Sequence, residues 1–397
     1  MPPNGCYAPV MVRNMLLTPD SVEELAETVR AEAIRDEHLS LLGAGTRLHA
    51  GNTPAAGAHT LRLTALDRLL EHVPADMTVA VEAGMPLGRL QALLREHGQW
   101  LPWEPPAPPE ATVGGLLATA ASGLLRYGYG TPRDWLLGMR VVLGDGRLVK
   151  SGGRVVKNVA GYDTHKLQIG AFGTLGVIAE ATFKVFPLPE TSASVLAPAA
   201  DLALAQRYAE LLRAAPLAPV SVVVLADTDL APAYRVAARY VGATAAVARQ
   251  VVLATTSVPA EPLTGDHEQA FWAHAAAFAQ PQPGEQAVIL RAAARPAELA
   301  AVLALLQHAG SAATTIGYSG VGVAYARWFA PEPATLAASI SSLRRELAAH
   351  GGYAVVEYAP AAAPALDRWG TPPNGPLMRA LRQQWNPREI VNRDRYM

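Results

Sequence analysis

The chain has 397 residues, half of them hydrophobic and 17% charged, enough for two or three domains with a substantial core. With 33 basic against 34 acidic side chains the formal net charge is −1, so no long-range field draws it to nucleic acid or an anionic membrane surface. The single cysteine, Cys6, excludes an internal disulfide, a cysteine-ligated zinc and an iron–sulfur cluster held by this chain alone, and points to a reducing compartment.

Residues 1–15 lack the apolar stretch of a secretory signal. No run of about 18 apolar residues is free of Gly, Pro and charge, so neither export nor a membrane-spanning helix is expected. Thr18-Pro19-Asp20-Ser21 ahead of Val22-Glu23-Glu24-Leu25 reads as an N-cap with an acidic first turn, and Leu25, Val29 and Ala33 recur at helical spacing. Leu39-Ser40-Leu41-Leu42 is too short for a helix and stops at Gly43-Ala44-Gly45-Thr46, which predicts a buried strand feeding a glycine turn. Strands follow over 60–63 and 78–81, and 87–97 predicts a helix closed by Gly98. Pro102-Trp103-Glu104-Pro105-Pro106-Ala107-Pro108-Pro109 predicts a stiff extended connector, because proline donates no backbone hydrogen bond and restricts its predecessor. The segments 138–143 and 147–150 flank Gly144-Asp145-Gly146, a hairpin signal, and 175–185 is another strand. Beyond about residue 190 the chain turns alanine-rich. Strands over 220–225, 233–241, 287–291, 321–328 and 353–357 alternate with helices over 243–252, 264–279, 296–307 and 333–349, a sheet backed by helices. The last stretch, 376–397, reads as one more helix and an irregular tail.

Glycine lets successive backbone amides converge on an anion, since no Cβ blocks approach and positive φ costs little. Gly43-Ala44-Gly45-Thr46-Arg47 and Ala111-Thr112-Val113-Gly114-Gly115, the second running on to Thr119-Ala120-Ala121-Ser122-Gly123, read either as phosphate cradles or as ordinary tight turns. The first lacks the G-x-G-x-x-G spacing and the second lacks the lysine of a P-loop. A third cluster, Gly170-Ala171-Phe172-Gly173-Thr174-Leu175-Gly176, enters a strand directly.

These three clusters, with Tyr127-Gly128-Tyr129-Gly130-Thr131-Pro132-Arg133-Asp134 and Lys157-Asn158-Val159-Ala160-Gly161-Tyr162-Asp163, resemble FAD-linked oxidases of the vanillyl-alcohol oxidase and para-cresol methylhydroxylase type over about residues 18–190. Within that family the likeness is strongest to the smaller FAD-binding subunit of bacterial glycolate oxidase. It rests there on the run from Gly153 to Asp163 and, more weakly, on Arg239-Tyr240-Val241-Gly242 and Phe271-Trp272.

The resemblance implies an α+β protein with a two-subdomain FAD-binding domain over 1–190 (about 1–100 and 101–190). An α+β cap domain of antiparallel sheet and helices follows over 191–375, and a tail over 376–397 returns to the first domain. It implies that Gly43, Ala44, Gly45, Thr46 and Arg47, with Thr112, Val113, Gly114 and Gly115, line the FAD pyrophosphate and supply backbone amides to it. Thr119, Ser122, Gly123, Tyr127 and Gly128 would lie close by, and Gly173, Gly176, Val177 and Ile178 would run beside the adenosine half. Arg47 stands where the family more often has a small residue, and is expected to point to solvent. Asn392 keeps its place in a family tail that returns to the flavin, and Arg395 replaces a lysine there; a solvated tail is the alternative.

Thr46 and Ser122 stand where relatives that tether their flavin carry a histidine or a cysteine, so non-covalent FAD is expected. His267, His274, His308 and His350 form no H-x-H or H-x-x-x-H pair, so no metal site is expected. His267 and His274 read as surface or capping residues, and His350 as a partner of a helix C-terminus. Lys157 and Asp163 read as structural, the one balancing phosphate charge and the other capping a helix start. Arg126, Tyr127, Tyr129 and Arg133 fall in the flavin neighbourhood or simply pack, and no catalytic base is assigned. The expected function is an FAD-binding subunit of a glycolate oxidase-like complex acting on a small 2-hydroxy acid, alongside a larger flavin subunit and an iron–sulfur subunit. It would be cytoplasmic, or peripheral to the inner membrane through those partners. A stand-alone FAD-dependent 2-hydroxy acid dehydrogenase and a cofactor-free assembly subunit are the alternatives.

Overall fold

The computed structural model describes residues 14–153, 161–226, 233–282, 284–310, 313–329, 333–361, 363, 365–372 and 374–396. Cys6, Lys157 and Asn158 lie outside them. The first helix, Val22–Arg35, starts where the sequence predicts. Ser21 has extended backbone and its hydroxyl accepts from the Glu24 amide at 3.3 Å, while Asp36 closes the helix in the left-handed region. Its apolar stripe, Leu25 and Val29 with no exposed surface, packs against Leu39, Leu61 and Val177, each such side chain contributing about 1.5–3 kcal/mol. Beside it the strands Leu16–Leu17, His59–Arg62 and Leu39–Leu42 form a small parallel sheet.

A five-stranded antiparallel sheet follows, in the order Leu69–Val73, Thr78–Glu82, Val177–Lys184, Leu136–Val142, Leu148–Gly152. Gly146, at φ +80°, makes the turn of the predicted hairpin. The connector from Leu101 onward is irregular, as its prolines require, but it is largely buried rather than laid over the surface. Trp103 donates its indole N–H to the Ala121 carbonyl at 2.7 Å.

The alanine-rich region forms an eight-stranded antiparallel sheet, in the order Glu261–Leu263, Thr191–Ala199, Tyr234–Gly242, Ser221–Ala226, Ala313–Tyr318, Val323–Trp328, Val288–Ala293, Tyr353–Tyr358. Strand alternation divides its side chains. Val222, Val224, Val236, Leu290, Ala324, Ala326 and Val356 face a layer of helices, Leu202–Arg213, Thr244–Ser257, Leu299–Ala309 and Pro333–Ala349. The helix Leu202–Arg213, capped by Asp201, was not expected from the sequence. The opposite face, with Val223, Ile316, Tyr318, Val323 and Tyr325, packs on Leu124 of the N-terminal half. This is the α+β architecture that the resemblance implied, with one face of the eight-stranded sheet packed against the N-terminal half. Among the described residues no helix is long and apolar enough to cross a membrane.

Candidate cofactor site

One pocket lies where the parallel strands, the five-stranded sheet and the C-terminal tail meet. The continuous run Gly43 to Arg47 lines it, joined by Thr112, Gly114, Gly115, Thr119, Gly173, Gly176, Ile178, Asn392 and Arg395. Fourteen residues singled out by sequence therefore share one wall system, though up to 352 positions separate them.

The two glycine loops do different work. Among the described residues the amides of Gly43, Ala44, Gly45, Thr46 and Arg47 donate no hydrogen bond, and Gly45 sits at φ +77°. Five consecutive free donors lining one concavity are suited to a phosphate. The second segment instead begins a short helix, Val113–Ala118, and its amides are spent. Val113 donates to Met85 O at 2.9 Å, Gly114 to Ala83 O at 2.7 Å and Gly115 to the Thr112 hydroxyl at 3.3 Å. The expectation that both loops offer amides is thus corrected. Gly114 is required because a Cβ there would stand 2.8 Å from the Ala83 Cβ, and Gly43 because its Cβ would strike the Thr112 hydroxyl. The second loop lets two backbones approach closely, and the first carries the donors.

The tail closes the pocket. Val391 bridges Leu39 in parallel fashion, and the Leu39 amide donates to Ile390 O at 2.7 Å. The Asn392 side-chain Oδ1 accepts from the Leu41 amide at 2.7 Å, and its side-chain NH₂ donates to Phe172 O at 2.6 Å. Arg395 is 6% exposed; its guanidinium donates to Ala50 O at 2.8 Å and to Asn52 O. The solvated-tail alternative is therefore excluded. Burial and the neighbouring Arg368 push the Arg395 guanidinium down to about 10.

Arg47 does not point to solvent. Its side chain is 9% exposed, one nitrogen donates to Pro106 O at 3.2 Å, and another lies 3.6 Å from Glu357 on the cap sheet. Its Nε is buried without a partner, an orphaned cationic donor at the pocket wall. Glu357 also accepts from Arg291 at 2.5 Å. Burial pushes the Glu357 carboxyl up, but Arg291 and Arg47 overcome this and hold it below the usual carboxylate range. His49 beside them is pushed down to about 4, by burial first and then by Arg47, against Glu357.

Other expected residues lie elsewhere. Val113 and Val177 have no exposed surface and belong to the apolar cores. The Ser122–Gly128 stretch docks on the cap: a Cβ on Gly123 would meet Glu104 backbone, the Gly128 amide donates to Val220 O at 3.0 Å, and Tyr127 packs against Gly320. Tyr129 stacks edge-on against Trp100 and Phe186, and Arg133 donates to Lys166 O. Asp163 pairs with Lys166 at 2.9 Å instead of capping. His267 and His274 are exposed, and His350 lies 2.9 Å from Glu298. Among the described residues no group of three His, Cys, Asp or Glu is placed to hold a metal ion. Sequence reading missed Arg291, Tyr325 and Glu357; the available signal was a polar residue at the odd positions of otherwise apolar strands.

A run of free amides suited to a phosphate, with buried cations beside it, makes this pocket a candidate nucleotide site. The donor set fits FAD: unpaired amides for the pyrophosphate, and Arg395 with the orphaned Arg47 Nε for negative charge further along the wall. Residues 14–152 match the family described as FAD binding domain, and the chain carries an FAD-binding domain of that family. It is similar to the glycolate oxidase subunit GlcE of Escherichia coli, 37% identical over 183 residues, 46% of this chain and 51% of that protein. It is also similar to D-2-hydroxyglutarate dehydrogenase of Xanthomonas citri, 37% identical over 45% of this chain and 38% of that one. The glycolate oxidase subunit GlcD of Bacillus subtilis is 34% identical over 39% and 33%. The chain thus spans about half or less of the length of these relatives. Among solved structures, alkyldihydroxyacetonephosphate synthase superposes over 95% of this chain and 75% of its own with a TM-score of 0.67 at 16% identity, a likeness of fold.

Proposed function

We propose that this chain is the FAD-binding subunit of a glycolate oxidase-like 2-hydroxy acid dehydrogenase, holding its FAD non-covalently and working beside a larger flavin subunit and an iron–sulfur subunit. The observation that carries the reading is the convergence of the free Gly43–Arg47 amides, Gly173, Ile178, Asn392 and Arg395 on one pocket. When bound, FAD supplies the two-electron acceptor for oxidation of an alcohol carbon. The chain's own part is to meet the pyrophosphate with fixed N–H dipoles, which need no reorganisation, and to wall the site with the tail.

A stand-alone dehydrogenase is the second reading, favoured by the likeness to an enzyme named D-2-hydroxyglutarate dehydrogenase and by the polar cap face around Arg291 and Tyr325. Purification decides between them. A yellow protein that stays oxidised with glycolate or D-lactate until partner subunits are co-expressed supports the subunit reading. Bleaching by either acid alone supports the second. A colourless protein that takes up no added FAD overturns both.

A further inference from the structure

A groove lies on the reverse of the loop that walls the cofactor pocket. Phe172 and Gly173 line the pocket, whereas Ala171 and Thr174 on the same loop line the groove. Its other bank is the C-terminal helix, Gly375–Trp385, and it encloses about 260 Å³. Helical spacing puts Met378, Leu381 and Arg382 on the groove side of that helix. An apolar stripe of this kind ordinarily seals into a core. Here only Gly375 of the helix is buried, Met378 and Leu381 are half-buried, and Leu377 stands 62% exposed beside them. Leu167, 39% exposed, continues the apolar floor on the opposite bank.

The rim is basic. Arg133, Lys166, Arg379 and Arg382 line the groove, and among the described residues no acidic side chain does. Lys166 is met by Asp163 at 2.9 Å and Arg382 by Glu389 at 2.9 Å, both carboxylates outside the lining. Among the described residues no carboxylate pairs with Arg379, or with Arg133, whose side chain donates instead to the Lys166 carbonyl at 3.0 Å. Four cations against two carboxylates leave local positive charge on a chain whose formal net charge is −1. A small anion would answer that charge but leave the apolar floor wet. A protein segment answers both, because interfaces combine apolar anchors with Arg and adaptable Met at their centre.

We propose that this groove docks an acidic, amphipathic segment of a partner subunit, with apolar side chains on Met378, Leu381 and Leu167 and carboxylates on Arg133 and Arg379. The assignment rests on the subunit reading above for the existence of a partner, and adds the place where that partner binds. The helix is about 16 Å long at 1.5 Å per residue, a bank along which two or three turns of a second helix can lie with their apolar anchors in the groove. The guanidiniums give its carboxylates bidentate partners.

Co-expression of the full chain with the larger flavin subunit and the iron–sulfur subunit, with capture through a tag on the partner, tests the surface. Arg133→Glu/Arg379→Glu should weaken assembly about tenfold or more, most strongly at low salt, with FAD content and melting temperature unchanged. Leu381→Ser should weaken it with no change of charge. The matched reversal Arg207→Glu/Arg249→Glu, at exposed positions on two helices of the cap, should assemble as the wild type does. Wild-type affinity in the Arg133/Arg379 variant, or an equal loss in the Arg207/Arg249 variant, would overturn the assignment. So would a groove variant that still assembles but no longer binds vesicles of equal phosphatidylglycerol and phosphatidylethanolamine that the wild type binds, since the face would then be a membrane surface. If the double reversal does not fold, Leu381→Ser decides. A wild type that joins neither subunit overturns the subunit reading and this one with it, whereas assembly indifferent to the groove variants removes the groove assignment alone.

Discussion

Gly114 and Gly115 are neighbours with opposite requirements. A Cβ on Gly114 would stand 2.8 Å from the Ala83 Cβ and 3.0 Å from its carbonyl oxygen, whereas one on Gly115 meets only the Thr112 hydroxyl, at 3.1 Å. Gly114→Ala should therefore cost about 1–3 kcal/mol of stability through overpacking, seen as a lower denaturation midpoint in apoprotein. Gly115→Asp should leave folding nearly intact and place a carboxylate at the pocket wall. Flavin retained at wild-type stoichiometry in that variant would show the pyrophosphate to be elsewhere. His49 gives a pH signature. Its ordinary value of 6.5 falls to about 4 in the folded chain, so between those values the unfolded chain holds more protons and stability rises with pH. The stabilisation is complete above 6.5 and is lost as the pH falls toward 4, a change on the order of 2–3 kcal/mol. His49→Gln should flatten this part of the stability profile, and chemical denaturation at a series of pH values reads it directly.

The tail is an irregular segment that acts as an element. Asn392 sits in the left-handed region at φ 47° and spends its amide group on Leu41 and Phe172. Asn392→Ala should cost about 2–4 kcal/mol, for two buried backbone groups left unsatisfied and an unfavourable φ, with the loss measured by thermal unfolding. Asn392→Gly relieves only the backbone strain and should stay destabilised. Much at this scale was legible in the sequence. Ser21 with its acidic first turn, the glycine hairpin at 144–146 and the alternating cap strands all carry local signals that the structure keeps. The burial of Arg47 carried no such signal. It depends on the carbonyl of Pro106, 59 positions away, and on a carboxylate from a different sheet. The spent amide of Gly114 was equally invisible, because its acceptor, Ala83 O, is a backbone group that any residue would supply.

At the scale of the whole molecule, cap and cofactor-binding half are pinned by few polar links. Arg239 of the cap reaches both oxygens of Glu104 on the proline connector, at 3.1 and 3.0 Å, and also donates to Ser192. The neighbouring Glu268 is only 4% exposed and accepts from Ser192 and Ser194. Arg239→Ala should cost about 2–3 kcal/mol by leaving Glu104 and Glu268 without their cation, and should speed proteolytic cleavage in the 101–110 connector. Wild-type cleavage rates would mean that the remaining contacts, among them the apolar packing around Leu124 and the Arg47–Glu357 pair, hold the cap without Arg239. The closing contribution of Asn392, 351 positions beyond the Leu41 amide it accepts from, has a consequence for biogenesis. While the ribosome is still translating the cap, the nascent glycine turn lacks its last wall. High-affinity capture of the dinucleotide thus waits until the tail has been made, and a product truncated before Asn392 should emerge colourless however well its early segments have condensed.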